Sequence, residues 1–145
     1  MRRDLLQRNT PLEWNTRVLT EDDFQQYCYA EGIEILERQV EQPAVYLTCN
    51  GKPTIFLNDQ LRGPYRLFAG FHELAHYWLH PSHVRMYLGY GWEDMIEREA
   101  DVVAACALIP RTMLTRRQLL DLTDGYGYPD WIISLRCVFF DRYRI

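Results

Sequence analysis

The pentapeptide His72-Glu73-Leu74-Ala75-His76 is the most informative segment of this chain. Its two histidines are four positions apart, so on a helix both imidazoles lie on one face, one turn from each other. That spacing lets both rings bind one zinc ion at about 2.0–2.1 Å. Glu73 lies beside the first histidine, where it can take a proton from an attacking water without occupying a ligand position. The pattern predicts the site of a zinc hydrolase that acts on peptide bonds.

The composition is that of one ordinary globular domain, which we expect to span residues 1–145. A net charge of −4 argues against general binding to nucleic acid. The four cysteines (Cys28, Cys49, Cys106 and Cys137) form no Cys-x-x-Cys pair, so we expect reduced thiols rather than disulfides or a zinc ribbon. We find no apolar core of a signal peptide and no run near the roughly 20 apolar residues that span a bilayer. These features predict a cytoplasmic protein with no membrane partner.

The first half of the chain predicts an α+β fold with a small three-stranded antiparallel sheet. Thr20 is the expected N-cap of a helix whose first turn is acidic and which stops at Gly32. Three strand-like runs follow, at residues 33–38, 44–48 and 54–57. Asn50-Gly51, between the last two runs, is a strong hairpin signal.

The second half of the chain is mainly helical. It contains a helix from about Pro64 to Pro81, a loop over residues 82–91, a helix from about Trp92 to Leu108, a short helix over residues 116–122 and a final helix that Pro129 opens. The broad apolar surface of the first of these helices predicts that it is central and well buried. His72 and His76 would project from it into a cleft, with the 82–91 loop alongside.

A zinc site built on two histidines needs a third protein ligand and one open position. The downstream candidates are His80, His83, Glu93, Asp94, Glu97, Glu99 and Asp101. His80 lies two turns from His72, too far for all three histidines to meet one ion. We therefore expect His80 to be only a polar residue at the helix end.

The segment that begins at Glu97 is the better source of the third ligand. Glu97 and Asp101 share one face of the second long helix, so Glu97 can complete a His₂Glu site while Asp101 accepts the N–H of a ligating histidine. Glu99 points away from that face, and we expect it to be solvated. An acidic helix face that merely pairs with arginines such as Arg98 is the alternative interpretation.

The order of these segments resembles a known family. Residues 71–80, with the His-Glu-x-x-His pattern, are followed by Glu97-Arg98-Glu99-Ala100-Asp101 and by Leu108-Ile109-Pro110. In the ImmA/IrrE metallopeptidases a His-Glu-x-x-His helix likewise precedes a Glu-x-x-Ala-Asn helix and a Leu-Met-Pro-like segment. The resemblance covers about residues 20–110 and implies a zincin-like core that holds Zn²⁺ or Mn²⁺. It implies that His72, His76 and Glu97 are the metal ligands and that Glu73 is the general base.

Three features depart from the family pattern. Ala75 stands where glycine is common, and Asp101 replaces the usual asparagine, as in the Glu-x-x-x-Asp pattern of thermolysin-like enzymes. Since the sequence ends at Ile145, we also expect none of the regulatory or helix-turn-helix domains that some members carry.

The resemblance implies an intracellular endopeptidase with a narrow substrate, a helix-turn-helix transcriptional repressor encoded beside it in a mobile element or stress operon. Candidates for stabilising the oxyanion are Tyr87, Tyr90, Tyr126, Tyr128 and His83. The alternative is a non-catalytic binding module, such as an antitoxin or repressor-sequestering partner, that retains the fold. DNA binding is a third hypothesis, based on the C-terminal arginines Arg111, Arg116, Arg117, Arg136, Arg142 and Arg144. For these we expect instead a solvated face or a docking surface for the substrate.

Overall fold

A computed structural model describes residues 1–80, 93–114 and 121–145 of the chain. Within these ranges the protein is α+β, as the sequence predicts. The predicted loop over residues 82–91 lies outside them, as does most of the predicted short helix over residues 116–122. None of the helices described is both long and apolar enough to cross a membrane.

Two helices precede the sheet. Helix α1 (Arg3–Asn9) was not predicted, because its short, charged sequence carries little periodic signal. Helix α2 (Glu21–Ala30) begins with a capping box, in which the Thr20 hydroxyl accepts the backbone N–H of Asp23 and the Asp23 carboxylate accepts that of Thr20. Gly32, with φ of +67°, turns the chain just after α2. The predicted start and stop of this helix are therefore confirmed.

The three predicted strands form a sheet, which is mixed rather than all-antiparallel. The strands are β1 (Glu34–Arg38), β2 (Ala44–Cys49) and β3 (Lys52–Asn58), in the order β1-β3-β2. The hairpin is as predicted, with positive φ at both Asn50 and Gly51. Residues 39–43, however, carry the chain to the far edge of the sheet, so β3 returns between the other two strands. It therefore runs antiparallel to β2 and parallel to β1.

Helix α3 (Gly63–Leu79) is the central helix and packs against α1, α2, β2 and β3. Pro64 lies in its first turn, as predicted, and the helix ends at Leu79, shortly before the predicted stop at Pro81. A Cβ atom on Gly70 would lie 2.9 Å from the ring of buried Phe24. The missing side chain therefore lets α2 close against α3, two residues before the first histidine of the motif.

Helix α4 (Glu93–Leu108) packs along α3 and carries the candidate third ligand. Its second half is buried on all sides, with no exposed surface on residues 102–108. After a short 3₁₀ turn (Arg111–Met113), helix α5 (Asp130–Tyr143) follows Pro129, as predicted, and packs against α4. Arg136 does not belong to the solvated arginine face that we expected. It is fully buried on α5, where its Nε donates to the Ile109 carbonyl oxygen at 2.6 Å.

Candidate metal centre

Helices α3 and α4 bring three of the predicted site residues together. His72 and His76 lie one turn apart on α3, and their Nε2 atoms are 3.1 Å apart. Glu97 reaches across from α4, with Oε2 3.1 Å from Nε2 of His72 and Oε1 3.4 Å from Nε2 of His76. Among the residues that the structure describes, this is the one cluster of three or more His, Cys, Asp or Glu side chains that could hold a metal ion.

The cluster fits a divalent metal by donor type and by spacing. Two imidazole nitrogens and one carboxylate form the donor set of known catalytic zinc sites. Ligands about 2.1 Å from a tetrahedral zinc ion lie about 3.4 Å from one another. The three separations in the cluster, from 3.1 to 3.4 Å, are close to this value, so little movement is needed to surround an ion.

The electrostatics of the cluster favour a positive charge between the three side chains. Burial disfavours the charged form of His72, but hydrogen bonds to Asp101 and Glu97 outweigh this effect and raise its pKa to about 9. Hydrogen bonds to His72 and His76 hold the pKa of Glu97 well below its ordinary value. A carboxylate that stays ionised beside two imidazoles is suited to hold a cation.

Asp101 lies behind His72, where a supporting residue is expected. Its Oδ1 is 3.0 Å from Nδ1 of His72 and accepts the proton of that nitrogen. The ring is thereby oriented with Nε2 facing His76 and Glu97. A carboxylate in this position fixes the tautomer of a metal-binding histidine and makes it a stronger ligand.

Glu73 is held apart from the cluster. Its Oε2 accepts the backbone N–H of Tyr46 on β2 at 2.8 Å, and neither of its oxygens belongs to the group of candidate ligand atoms. Since β2 lies at an edge of the sheet in the described part of the chain, this N–H can form a bond outside the sheet. The contact fixes one oxygen of the carboxylate and leaves the other available for proton transfer.

An open cavity of about 320 Å³ lies beside His72 and Glu73. Three aromatic rings form one side of it: Trp131 of α5 stands edge-on to Phe68 and Tyr65, with ring centroids 5.0 and 5.4 Å apart. The remaining lining residues are Gln42, Pro43, Ala44, Ala69 and Asp101. Apolar walls beside candidate catalytic groups are typical of a site that binds a substrate side chain.

Glu99 is not the solvated residue that the sequence suggested. Its side chain has no exposed surface and bonds to His80 and Arg2. Burial alone would raise the pKa of Glu99, but the hydrogen bonds from His80 and Arg2 outweigh it and hold the pKa at about 2. The prediction was wrong because it assumed that α4 faces the core on one side only, whereas the N-terminal segment covers the other side. No periodic pattern in α4 indicates that Glu99 pairs with Arg2, which lies 97 positions away.

His80 takes no place in the three-residue cluster, but it is more than a polar residue at the helix end. It is fully buried, and its Nδ1 lies 3.2 Å from Nδ1 of His76. Burial is the main cause that lowers the pKa of His80, which favours the neutral ring.

The candidate donors to an oxyanion are only partly described. Tyr87, Tyr90 and His83 lie outside the described residues. The hydroxyl of Tyr128 donates to the Leu108 carbonyl oxygen at 2.9 Å in the interior, and Tyr126 stacks on Tyr128. Neither of these two rings lines the cavity beside His72.

Comparison with known proteins identifies the family. A model of the peptidase M78 family, described as the IrrE N-terminal-like domain, matches residues 28–126, which is more than half of the chain. The matched span contains the candidate ligands, the motif glutamate and Asp101. A search of curated proteins finds no match to this chain. The chain thus belongs to the IrrE-like peptidase M78 family, the ImmA/IrrE metallopeptidases that the order of its motifs resembles.

Proposed function

We propose that this protein is a metal-dependent endopeptidase that cleaves one specific protein, a helix-turn-helix transcriptional repressor, in the cytoplasm. The observation that carries the proposal is the cluster of His72, His76 and Glu97 directly beside Glu73 and an open cavity. Membership of a peptidase family supports the reaction type. The repressor as substrate rests on the family resemblance alone.

His72, His76 and Glu97 would hold the metal, Zn²⁺ or Mn²⁺. When bound, the ion supplies Lewis acidity, which polarises the scissile carbonyl and lowers the pKa of the attacking water. Asp101 keeps the His72 ring turned toward this position. The two helices that carry the ligands pack along each other in the core, so the ligands are held on a rigid support.

Glu73 would act as the general base. The Tyr46 N–H holds its Oε2, so the other oxygen takes the proton of the attacking water and delivers it to the leaving amine. A substrate in extended conformation can add to the outer edge of β2, which has one strand partner in the described part of the chain. The Tyr46 N–H on that edge stays bonded to Glu73, so the substrate would pair with the other backbone groups of the edge. An apolar side chain of that substrate would fill the cavity between Phe68 and Trp131.

The test is cleavage of the repressor whose gene lies beside the gene of this protein. Purified protein loaded with zinc or manganese is incubated with the repressor, and the fragments are identified by mass spectrometry. We expect one cut with the wild type and with Glu41→Gln, an exposed control in the turn before β2. Glu73→Gln should bind zinc with wild-type affinity but lose at least about 100-fold in rate, as expected for a general base.

Equal cleavage by wild type and Glu73→Gln would remove Glu73 from the mechanism. Tight repressor binding by both proteins, with no cleavage by either and an unchanged cellular effect of Glu73→Gln, would overturn the proposal in favour of the non-catalytic binding module.

A further inference from the structure

A buried chain of polar groups leads from His76 to the N-terminus. His76 Nδ1 lies 3.2 Å from Nδ1 of His80, and Nε2 of His80 lies 2.9 Å from Oε2 of Glu99. Arg2 closes the chain: its guanidinium donates to Oε2 of Glu99 at 2.7 Å, and its backbone N–H donates to Oε1 at 2.8 Å. The side chains of His80 and Glu99 have no exposed surface, so these groups depend on one another and not on solvent.

The hydrogen bonds in this chain have one consistent direction. With Nε2 of His76 facing the metal position, the ring proton lies on Nδ1 and is donated to Nδ1 of His80. His80 must then carry its own proton on Nε2 and donate it to Glu99, whose ionised carboxylate only accepts. Each ring nitrogen of His76 and His80 therefore has one role, and both ring N–H groups have an acceptor.

We propose that His80, Glu99 and Arg2 are positioning residues for His76, so that the N-terminal segment is part of the metal centre. The inference rests on the proposed function in one respect only, that His76 is a metal ligand. Asp101 supports the first histidine by direct contact. The second histidine receives the same support through a relay, in which Glu99 orients His80 and His80 orients His76.

Packing alone does not explain this arrangement. The N-terminal segment is anchored to α4 a second time, by Trp14, whose Nε1 donates to the Val103 carbonyl oxygen at 3.0 Å in the interior. That bond also joins distant parts of the chain, but it makes no contact with the three candidate ligands. Removing the hydrogen-bond partner of a metal-binding histidine typically lowers metal affinity about 10- to 100-fold. Trp14→Phe is therefore a matched control, since it deletes a buried anchor and should leave metal affinity unchanged.

The test measures zinc affinity by competition with a chromogenic chelator, at a temperature where circular dichroism shows each variant folded. We expect His80→Phe to lose about 10- to 100-fold and Glu99→Gln about tenfold. Arg2→Met should lose less, about three- to tenfold, because Arg2 acts through two intermediates and its side chain is 37% exposed. Trp14→Phe should bind zinc as the wild type does, whatever it loses in stability.

A second readout does not depend on any variant. In ¹⁵N-labelled, zinc-loaded wild type, NMR should show a scalar coupling between Nδ1 of His76 and Nδ1 of His80 across their N–H···N hydrogen bond. Wild-type zinc affinity in folded Glu99→Gln and His80→Phe, an equal loss in Trp14→Phe, or no such coupling would overturn the relay while the proposed function stands. A wild type that binds no zinc would overturn the proposed function itself, and the relay with it.

Discussion

Replacing Asp101 with asparagine should change zinc affinity in a way that depends on pH. Asp101 Oδ1 accepts the Nδ1 proton of His72 at 3.0 Å, on the side of the ring opposite the metal position. Asparagine keeps an oxygen acceptor of the same shape there but removes the negative charge. The substitution therefore isolates the electrostatic contribution of Asp101.

Two effects of this charge oppose each other. The carboxylate strengthens His72 as a ligand, and the difference between a charged and a neutral hydrogen bond, about 1.4 kcal/mol, corresponds to about tenfold in affinity. The carboxylate also helps to raise the pKa of His72 to about 9. At pH 7 zinc must therefore displace a proton from His72. This competition lowers the apparent zinc affinity about 100-fold. In Asp101→Asn the pKa of His72 falls toward its ordinary value of about 6.5, and most of this penalty disappears.

The ratio of wild-type to Asp101→Asn zinc affinity should therefore rise at least about tenfold between pH 7 and pH 9. The assay is competition with a chelator whose zinc affinity is known at each pH. Asp94→Asn is the control, because it removes one exposed negative charge from the same helix without touching His72. A ratio that does not change between pH 7 and pH 9 would refute the role assigned to Asp101.

Two further predictions concern the cavity and the buried carboxylate. Trp131→Ala removes one wall of the cavity and should lower kcat/KM for the repressor about tenfold with little change in zinc affinity, whereas Val138→Ala, exposed on the same helix, should change neither. Because the pKa of Glu99 is lowered to about 2, its ionised form stabilises the metal-free protein above the unfolded pKa of about 4.3, and this contribution is lost as the pH falls toward 2. Urea unfolding should thus show Glu99→Gln about 3 kcal/mol less stable than wild type at pH 7. This difference in the free energy of unfolding should disappear between pH 5 and pH 2. A difference that stays constant with pH would contradict the ionised state of Glu99.

The parts of the fold predicted from sequence are those with local signals. The capping box at Thr20, the hairpin at Asn50-Gly51 and the start of α3 at Pro64 each depend on residues within a few positions of one another. The juxtaposition of His72, His76 and Glu97 was also predictable. Helical spacing places two of these residues on one face, and the order of the family's motifs supplies the third.

The features that sequence reasoning missed are set by contacts between distant residues. The parallel pairing of β1 with β3 depends on where residues 39–43 take the chain, which no local pattern encodes. Glu99 was expected in solvent because the N-terminal segment that covers it is 97 positions away. The hydrogen bond from the Tyr46 N–H to Glu73 could not be predicted either, because any residue at position 46 except proline would supply the same backbone donor.

The position of Trp131 has a consequence for how substrate selectivity can change among proteins with this fold. The candidate ligands and Glu73 lie inside the span that matches the family, residues 28–126, whereas Trp131 lies beyond it on α5. If the cavity selects the substrate, substitutions in α5 can retune selectivity without disturbing the reaction centre. Under the proposed function, changes in the sequence of the substrate can then be matched by substitutions in α5, a helix that carries none of the candidate ligands.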